Sequence, residues 1–175
     1  SGRIQTNSKG YCYLAHFPIS GNEPYVITEQ YYASSYYEPT EPQEVYIKWN
    51  ETTEVHFHNK LKRGNLTVTK ISEDGYVEGM TFWLRGTSNS GIAVNEFATT
   101  DENGIARFEN ILIGDDYVLT EYLTPMKYFE SPEQIVDIKW NETTEAKFHN
   151  ILKRWCVEIY KVDSELYSKD RNSKE

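Results

Sequence analysis

Val45–Arg63 reads VYIKWNETTEVHFHNKLKR, and Val136–Arg154 reads VDIKWNETTEAKFHNILKR. Fifteen of these 19 positions are identical at a constant offset of 91 residues, which excludes chance. Working outward, Tyr25-Val-Ile-Thr-Glu29 matches Tyr117-Val-Leu-Thr-Glu121 at offset 92, and Thr6-Asn-Ser-Lys-Gly10 resembles Thr100-Asp-Glu-Asn-Gly104 at offset 94. Small drifts of this kind are what loop insertions produce. Past the second copy, Asn65-Leu-Thr-Val-Thr-Lys70-Ile returns as Cys156-Val-Glu-Ile-Tyr-Lys161-Val. The phase divides the chain into the rear part of one unit (1–63), one complete unit (64–154) and the opening of a third (155–175). A unit of 91 residues is longer than most solenoid repeats and suits a small β-sandwich.

The local pattern is β. Leu66, Val68 and Lys70 alternate with Thr67 and Thr69, and Thr81-Phe-Trp-Leu is a β-rich run. Asp101-Glu-Asn-Gly104 is a turn signal between Glu96-Phe-Ala-Thr and Ile105-Ala-Arg-Phe. Ile135–Lys139 and Glu145–Phe148 flank a turn at Trp140-Asn-Glu-Thr-Thr. No segment places apolar residues at helical spacing over three turns. The expected class is all-β: tandem antiparallel β-sandwich repeats of about seven strands, one complete and two partial.

Composition narrows the function classes. In 175 residues there are 27 Asp+Glu against 18 Lys+Arg, a formal net charge of −9. Nucleic-acid-binding surfaces concentrate Lys and Arg, so this balance argues against such a partner. Aromatics at 14%, with 14 tyrosines, are too many for a disordered acidic chain, and no apolar run reaches membrane-spanning length. The sequence has no initiator Met, signal peptide or sorting tail and reads as a fragment. Cys12 and Cys156 lie 144 positions apart in no metal-ligand spacing; two free or buried thiols are expected, with an intermolecular pair as the alternative.

A period of two assigns side chains to faces. Leu66, Val68 and Lys70 share one, as do Tyr117, Leu119 and Glu121, and Ala146, Phe148 and Asn150. An amine, a carboxyl and a carboxamide thus fall in phase with apolar positions. The phase recurs in the copies: Glu29 follows Tyr25 and Ile27, Asn59 follows Val55 and Phe57, and Lys161 follows Val157 and Ile159. A lone buried Lys or Glu is costly. Either each group snorkels at a strand end, or the three meet; periodicity leaves both open.

The run Gly64-Asn-Leu-Thr-Val-Thr-Lys70, Phe82-Trp-Leu, Thr100-Asp-Glu-Asn-Gly-Ile-Ala-Arg-Phe108, Gly114-Asp-Asp-Tyr-Val-Leu-Thr-Glu121 and Phe148-His-Asn150 resembles a B-type repeat of collagen adhesins. The same module is the SpaA-type domain of Gram-positive pilins, with a prealbumin-like fold. The likeness covers essentially the whole chain. The family's Ala-Pro-x-Gly-Tyr segment stands here as Thr124-Pro-Met-Lys-Tyr128, and as Ala33-Ser-Ser-Tyr-Tyr37 in the first copy.

The resemblance implies a spontaneous isopeptide bond from Lys70 Nζ to Asn150 Cγ, with Glu121 as acid/base and Glu29 as its equivalent in the first copy. Burial lowers a lysine's pKa and raises a carboxyl's. A neutral amine is a nucleophile, and a protonated Glu121 would polarise the carboxamide and pass a proton to leaving ammonia. The reaction occurs once per module, so no enzyme and no cofactor are implied. The implied role is a stalk module, extracellular and attached to the cell wall, with signal and anchor outside this stretch. Its partners would be neighbouring repeats of the same chain; no membrane contact is implied here. The alternative is a ligand-binding adhesin module whose aromatic-rich loops contact host matrix protein or glycan.

Asn59 and Lys161 lack partners within their partial copies. The short linker Lys62-Arg63-Gly64 argues against their joining within one chain. Between two chains the union would be strand complementation, bringing Cys156 towards Cys12.

Weaker signals have plainer readings. Asn50-Glu-Thr52, Asn65-Leu-Thr67 and Asn141-Glu-Thr143 fit the glycosylation sequon but read as turn and strand residues. His56 and His58 lack a third ligand, and the second copy has Lys147 in place of the first, so no metal is expected. Glu38, Glu41 and Glu44 read as a solvated edge. Trp49, Trp83, Trp140 and the tyrosines are expected in core and strand-face packing, with a recognition face as the alternative. A glycosidase is disfavoured, because Glu121 has no second acid in phase with it.

Overall fold

The computed structural model describes residues 2–30 and 35–161. Among these there are nine strands and no helix: β1 (Tyr25–Ile27), β2 (Gln43–Val45), β3 (Arg63–Ser72), β4 (Thr81–Thr87), β5 (Ala93–Thr99), β6 (Ile105–Leu112), β7 (Gly114–Tyr122), β8 (Gln134–Ile138) and β9 (Thr143–Asn150). Of the expected opening of a third copy, residues 162–175 lie outside the described residues, and so do Ala33 and Ser34 of the loop quoted above.

Strands β3 to β9 form a sandwich of seven strands, as the repeat predicts. One sheet has the order β6-β3-β9 and the other β5-β4-β7-β8. Every pairing is antiparallel except that of the first and last strands of the module. β3 and β9 run parallel, in register from Asn65↔Thr143 to Ser72↔Asn150. Parallel pairing puts the ends of both strands at the same pole, so Lys70 and Asn150 lie one diagonal step apart on one face.

The faces follow the period of two. In β3, Gly64, Leu66, Val68, Lys70 and Ser72 are buried, while Asn65 and Ile71 are exposed. Phe82 of one sheet meets Phe148 of the other with ring centroids 4.9 Å apart, joining the two layers at the centre of the core. Tyr117 closes one pole by donating from Oη to the Leu112 carbonyl at 3.0 Å. It lies in a slot kept open by Gly86 and Gly114, where an added Cβ would come within 2.6 and 2.7 Å of its ring. Burial, helped by Asp115, pushes the Tyr117 phenol up to about 12.

The expected core and strand-face packing holds for Trp83 and for Tyr117 and Tyr128, and is corrected for Trp49. The large core side chains are Tyr117, Tyr128, Phe82 and Phe148. Trp49 and Trp155 stand in solvent at 84% and 89% exposure. Trp83 falls between the buried Phe82 and Leu84 and so alternates to the outer face. There it stacks on Phe97 at 5.7 Å, with Tyr122 edge-on to both. Cys12 and Cys156 are free and exposed.

The first partial copy keeps the local geometry of the second. β1 and β2 pair Tyr25↔Val45, as β7 and β8 pair Tyr117↔Val136. The bridge Tyr37↔Leu61 repeats Tyr128↔Leu152. Asn50 and Asn141 take the same left-handed turn, with φ of 56° and 55°. Yet the counterpart of β9, residues 52–59, is not a strand and is largely exposed. β9 is an edge strand whose ladder partner is β3, and residues 1–63 contain no copy of β3.

Candidate functional site

Three strands deliver the in-phase polar residues to one buried point. Lys70 comes from β3, Glu121 from the end of β7 and Asn150 from the last position of β9. Lys70 Nζ donates to Glu121 Oε2 at 2.9 Å, and both side chains are sealed from solvent at 0% and 1% exposure. Asn150 Nδ2 donates to Glu121 Oε1 at 2.9 Å. One carboxylate therefore bridges amine and carboxamide, one oxygen to each. Burial drives the Lys70 pKa below its ordinary value, and the hydrogen bond and charge of Glu121 oppose that shift. No buried side-chain polar atom among the described residues lacks a partner.

Periodicity predicted the three residues and their faces, and left open whether they meet; they meet, and none snorkels. It missed a fourth polar side chain at the same point. The Ser131 hydroxyl lies 3.1 Å from Asn150 Oδ1, as donor, with the His149 carbonyl farther off at 3.4 Å. A signal was present: Ser131 and Thr40 occupy the same place in the two copies, a hydroxyl within segments that share only their leading Tyr besides, Tyr128-Phe-Glu-Ser-Pro and Tyr37-Glu-Pro-Thr-Glu.

The loop carrying Ser131 is fastened to the end of β9. The Phe129 amide donates to the Ile151 carbonyl at 3.0 Å. Buried Tyr128 donates from Oη to Asp74 Oδ1 at 2.5 Å, and Lys127 pairs with Asp74 Oδ2 at 2.6 Å. The Lys127 ammonium, then the Tyr128 phenol, hold the Asp74 carboxyl well below the usual carboxylate range. Next to it, the Glu73 amide donates to the Asn150 carbonyl at 3.2 Å, and Glu73 Oε2 accepts from the Leu152 amide at 2.9 Å. The turn after β3 thus holds both the Ser131 loop and the end of β9.

The first copy reproduces part of this constellation in the open. Asn59 Nδ2 donates to Glu29 Oε1 at 2.9 Å, the same bond as in the second copy. On Glu29 Oε2, where the second copy has a lysine amine, the Thr40 hydroxyl donates at 3.1 Å. Glu29 and Asn59 are both exposed, and so is Lys161. His56 and His58 join no group of metal-ligating residues among the described residues.

The family model of the SpaA prealbumin-like fold domain matches residues 64–151, half of the chain and nearly all of the complete repeat. The chain belongs to that family. It is a structural domain of the prealbumin-like fold. The fold is similar to that of the Bacillus anthracis TIE protein, at 23% identity and a TM-score of 0.63, over 83% of this chain and 27% of that one. GBS52, the minor pilin of Streptococcus agalactiae, matches at 25% identity and a TM-score of 0.41, over 61% of this chain and 50% of that one. The chain therefore spans between about a quarter and a half of the length of these structures. No curated protein sequence matches it.

Proposed function

We propose that the chain is a stalk segment of a cell-wall-attached adhesin or pilin, in which residues 64–154 form a module that crosslinks itself between Lys70 and Asn150. Residues 1–63 are the rear of a preceding module, and 155–175 open the next. The observation that carries the reading is the buried carboxylate of Glu121, 2.9 Å from both the amine and the carboxamide nitrogen.

The chemistry balances without a co-reactant. Neutral Lys70 Nζ attacks Asn150 Cγ; the Nζ–Cγ bond forms and the Cγ–Nδ2 bond breaks. One proton passes from Nζ to Nδ2, which leaves as ammonia. Glu121 suits the transfer, because one of its oxygens lies at the donor nitrogen and the other at the acceptor nitrogen. The lowered pKa of Lys70 favours the nucleophilic amine.

The parallel pairing of β3 and β9 gives the bond its mechanical meaning. Tension would enter along β3, cross at Lys70–Asn150 and leave from the end of β9, so the strands between carry none of it. Closing a loop of about 80 residues adds roughly 4–5 kcal/mol in the chain-entropy picture. Tryptic digestion tests the reading: a branched species joining the Lys70 and Asn150 peptides is expected. Recovery of the two only as separate linear peptides overturns it.

The second reading, a ligand-binding module, has one observation in its favour: the cluster of half-buried Trp83 with exposed Phe97 and Tyr122 on the outer face of the β5-β4-β7-β8 sheet. It lies on strands rather than loops. Retention of the protein on a matrix-protein or glycan array, lost in Trp83→Ala, would favour this reading.

A further inference from the structure

The amide of Asn150 is held at both ends, and the two ends have different partners. Its nitrogen faces the Glu121 carboxylate at 2.9 Å and its oxygen faces the Ser131 hydroxyl at 3.1 Å. The orientation is fixed by chemistry: a carboxylate accepts and so selects the NH₂ end, which leaves Oδ1 for a donor. In this arrangement both Glu121 oxygens face nitrogens, and the group on the carbonyl oxygen is Ser131.

That oxygen is where charge develops. When an amine adds to Cγ, the carbonyl electrons move onto Oδ1. A prepositioned donor to the oxygen of a buried carboxamide stabilises that charge more than it stabilises the neutral amide. We infer that Ser131 is a catalytic residue of the crosslinking reaction, its hydroxyl donating to Asn150 Oδ1 as the oxyanion forms. The inference rests on the Lys70–Asn150 reading above.

The first copy supports this independently. Its equivalent hydroxyl, Thr40, donates to Glu29 Oε2 at 3.1 Å, the carboxylate oxygen that Lys70 occupies in the complete module. With an amine on the carboxylate the hydroxyl is on the carboxamide oxygen; without one it is on the carboxylate. Arrival of the lysine strand therefore does two things at once. It supplies the nucleophile, and it claims the carboxylate oxygen, which frees the hydroxyl for Oδ1.

Ser131→Thr and Ser131→Val make the test, because Thr and Val are nearly isosteric and differ by the hydroxyl. The full chain is made in a short cell-free pulse, sampled over time into denaturant, and weighed for loss of one ammonia. Far-ultraviolet dichroism and the unfolding midpoint of each variant in a Lys70→Ala background report folding separately from chemistry. The wild type and Ser131→Thr should lose ammonia at similar rates. Ser131→Val should be slower by about 100-fold, the effect of removing one oxyanion donor, with matching unfolding midpoints for the two background proteins. Equal rates for Thr and Val would overturn the role of Ser131 and leave the crosslink standing. A slow Val variant whose background midpoint has fallen as far as its rate would assign Ser131 to packing and also overturn the role. No ammonia loss from the wild type would remove the crosslink itself.

Discussion

Residues 52–59 and 143–150 are nearly the same peptide in two states. Thr-Thr-Glu-Val-His-Phe-His-Asn lies outside any strand and is largely exposed; Thr-Thr-Glu-Ala-Lys-Phe-His-Asn is a strand with Ala146, Phe148 and Asn150 buried. Their local contacts agree down to the side-chain amide that each accepts: Gln43 Nε2 to the His56 carbonyl and Gln134 Nε2 to the Lys147 carbonyl, both at 2.7 Å. The difference is β3. With it, the segment gains a ladder and its apolar face gains a second sheet. Without it, turns, bridges and the carboxylate–carboxamide pair form, but no core does. Local sequence therefore specifies the geometry, and burial comes from one strand that is distant in sequence.

The comparison can be broken most forcefully at Lys70. Lys70→Ala should leave the full ammonia in place and lower the stability of the complete module by at least about 4 kcal/mol, the loop-closure contribution, read from denaturant unfolding. It should also make residues 64–154 more open to protease than in the wild type. A variant as stable as the wild type would mean that the module does not depend on the bond.

Next in size is the paired truncation of the equivalent phenylalanines. Phe148→Ala should cost about 3–5 kcal/mol as a core cavity. Phe57→Ala should fall within about 0.5 kcal/mol of the parent, as partly exposed positions do. Similar costs at both positions would show that the first copy has a core in solution.

The pH dependence of crosslinking comes third. Folding lowers the Lys70 pKa from 10.5. Between that lowered value and 10.5 the unfolded chain holds a proton that the folded precursor has lost, so precursor stability rises with pH through this window. The neutral amine rises as pH approaches the lowered value from below. The rate of ammonia loss should therefore climb from acid and level off once Lys70 is deprotonated; a rate that falls over this range would contradict the assignment of Lys70 as nucleophile.

The smallest expected effect is at Asp74. Asp74→Asn removes the charge that Lys127 and Tyr128 engage and should loosen the Ser131 loop, seen as faster amide exchange at Phe129 with the crosslink still formed. Because Asp74 is held below the usual carboxylate range, its contribution is present at neutral pH and lost only as pH falls through that depressed value.

Much of this was legible in the sequence, for physical reasons that can be named. The period of two placed Lys70, Glu121 and Asn150 on core faces, since in a sandwich the inward phase is set by apolar neighbours such as Val68, Leu119 and Phe148. The repeat gave the seven strands. Three things were not legible. The parallel pairing of β3 and β9 depends on which strands become neighbours, and alternation carries no such information. Trp49 was expected in core and strand-face packing, yet it stands in solvent, because residues 1–63 carry no strand to cover that turn. Ser131 lies in a loop, where no period applies, and is found only through its offset from Thr40.

The most direct test of the central claim is the intact mass of the purified chain. The account predicts a mass lower than that of the sequence by one ammonia, with the full mass restored in both Lys70→Ala and Glu121→Gln. A wild-type chain at its full sequence mass would contradict it.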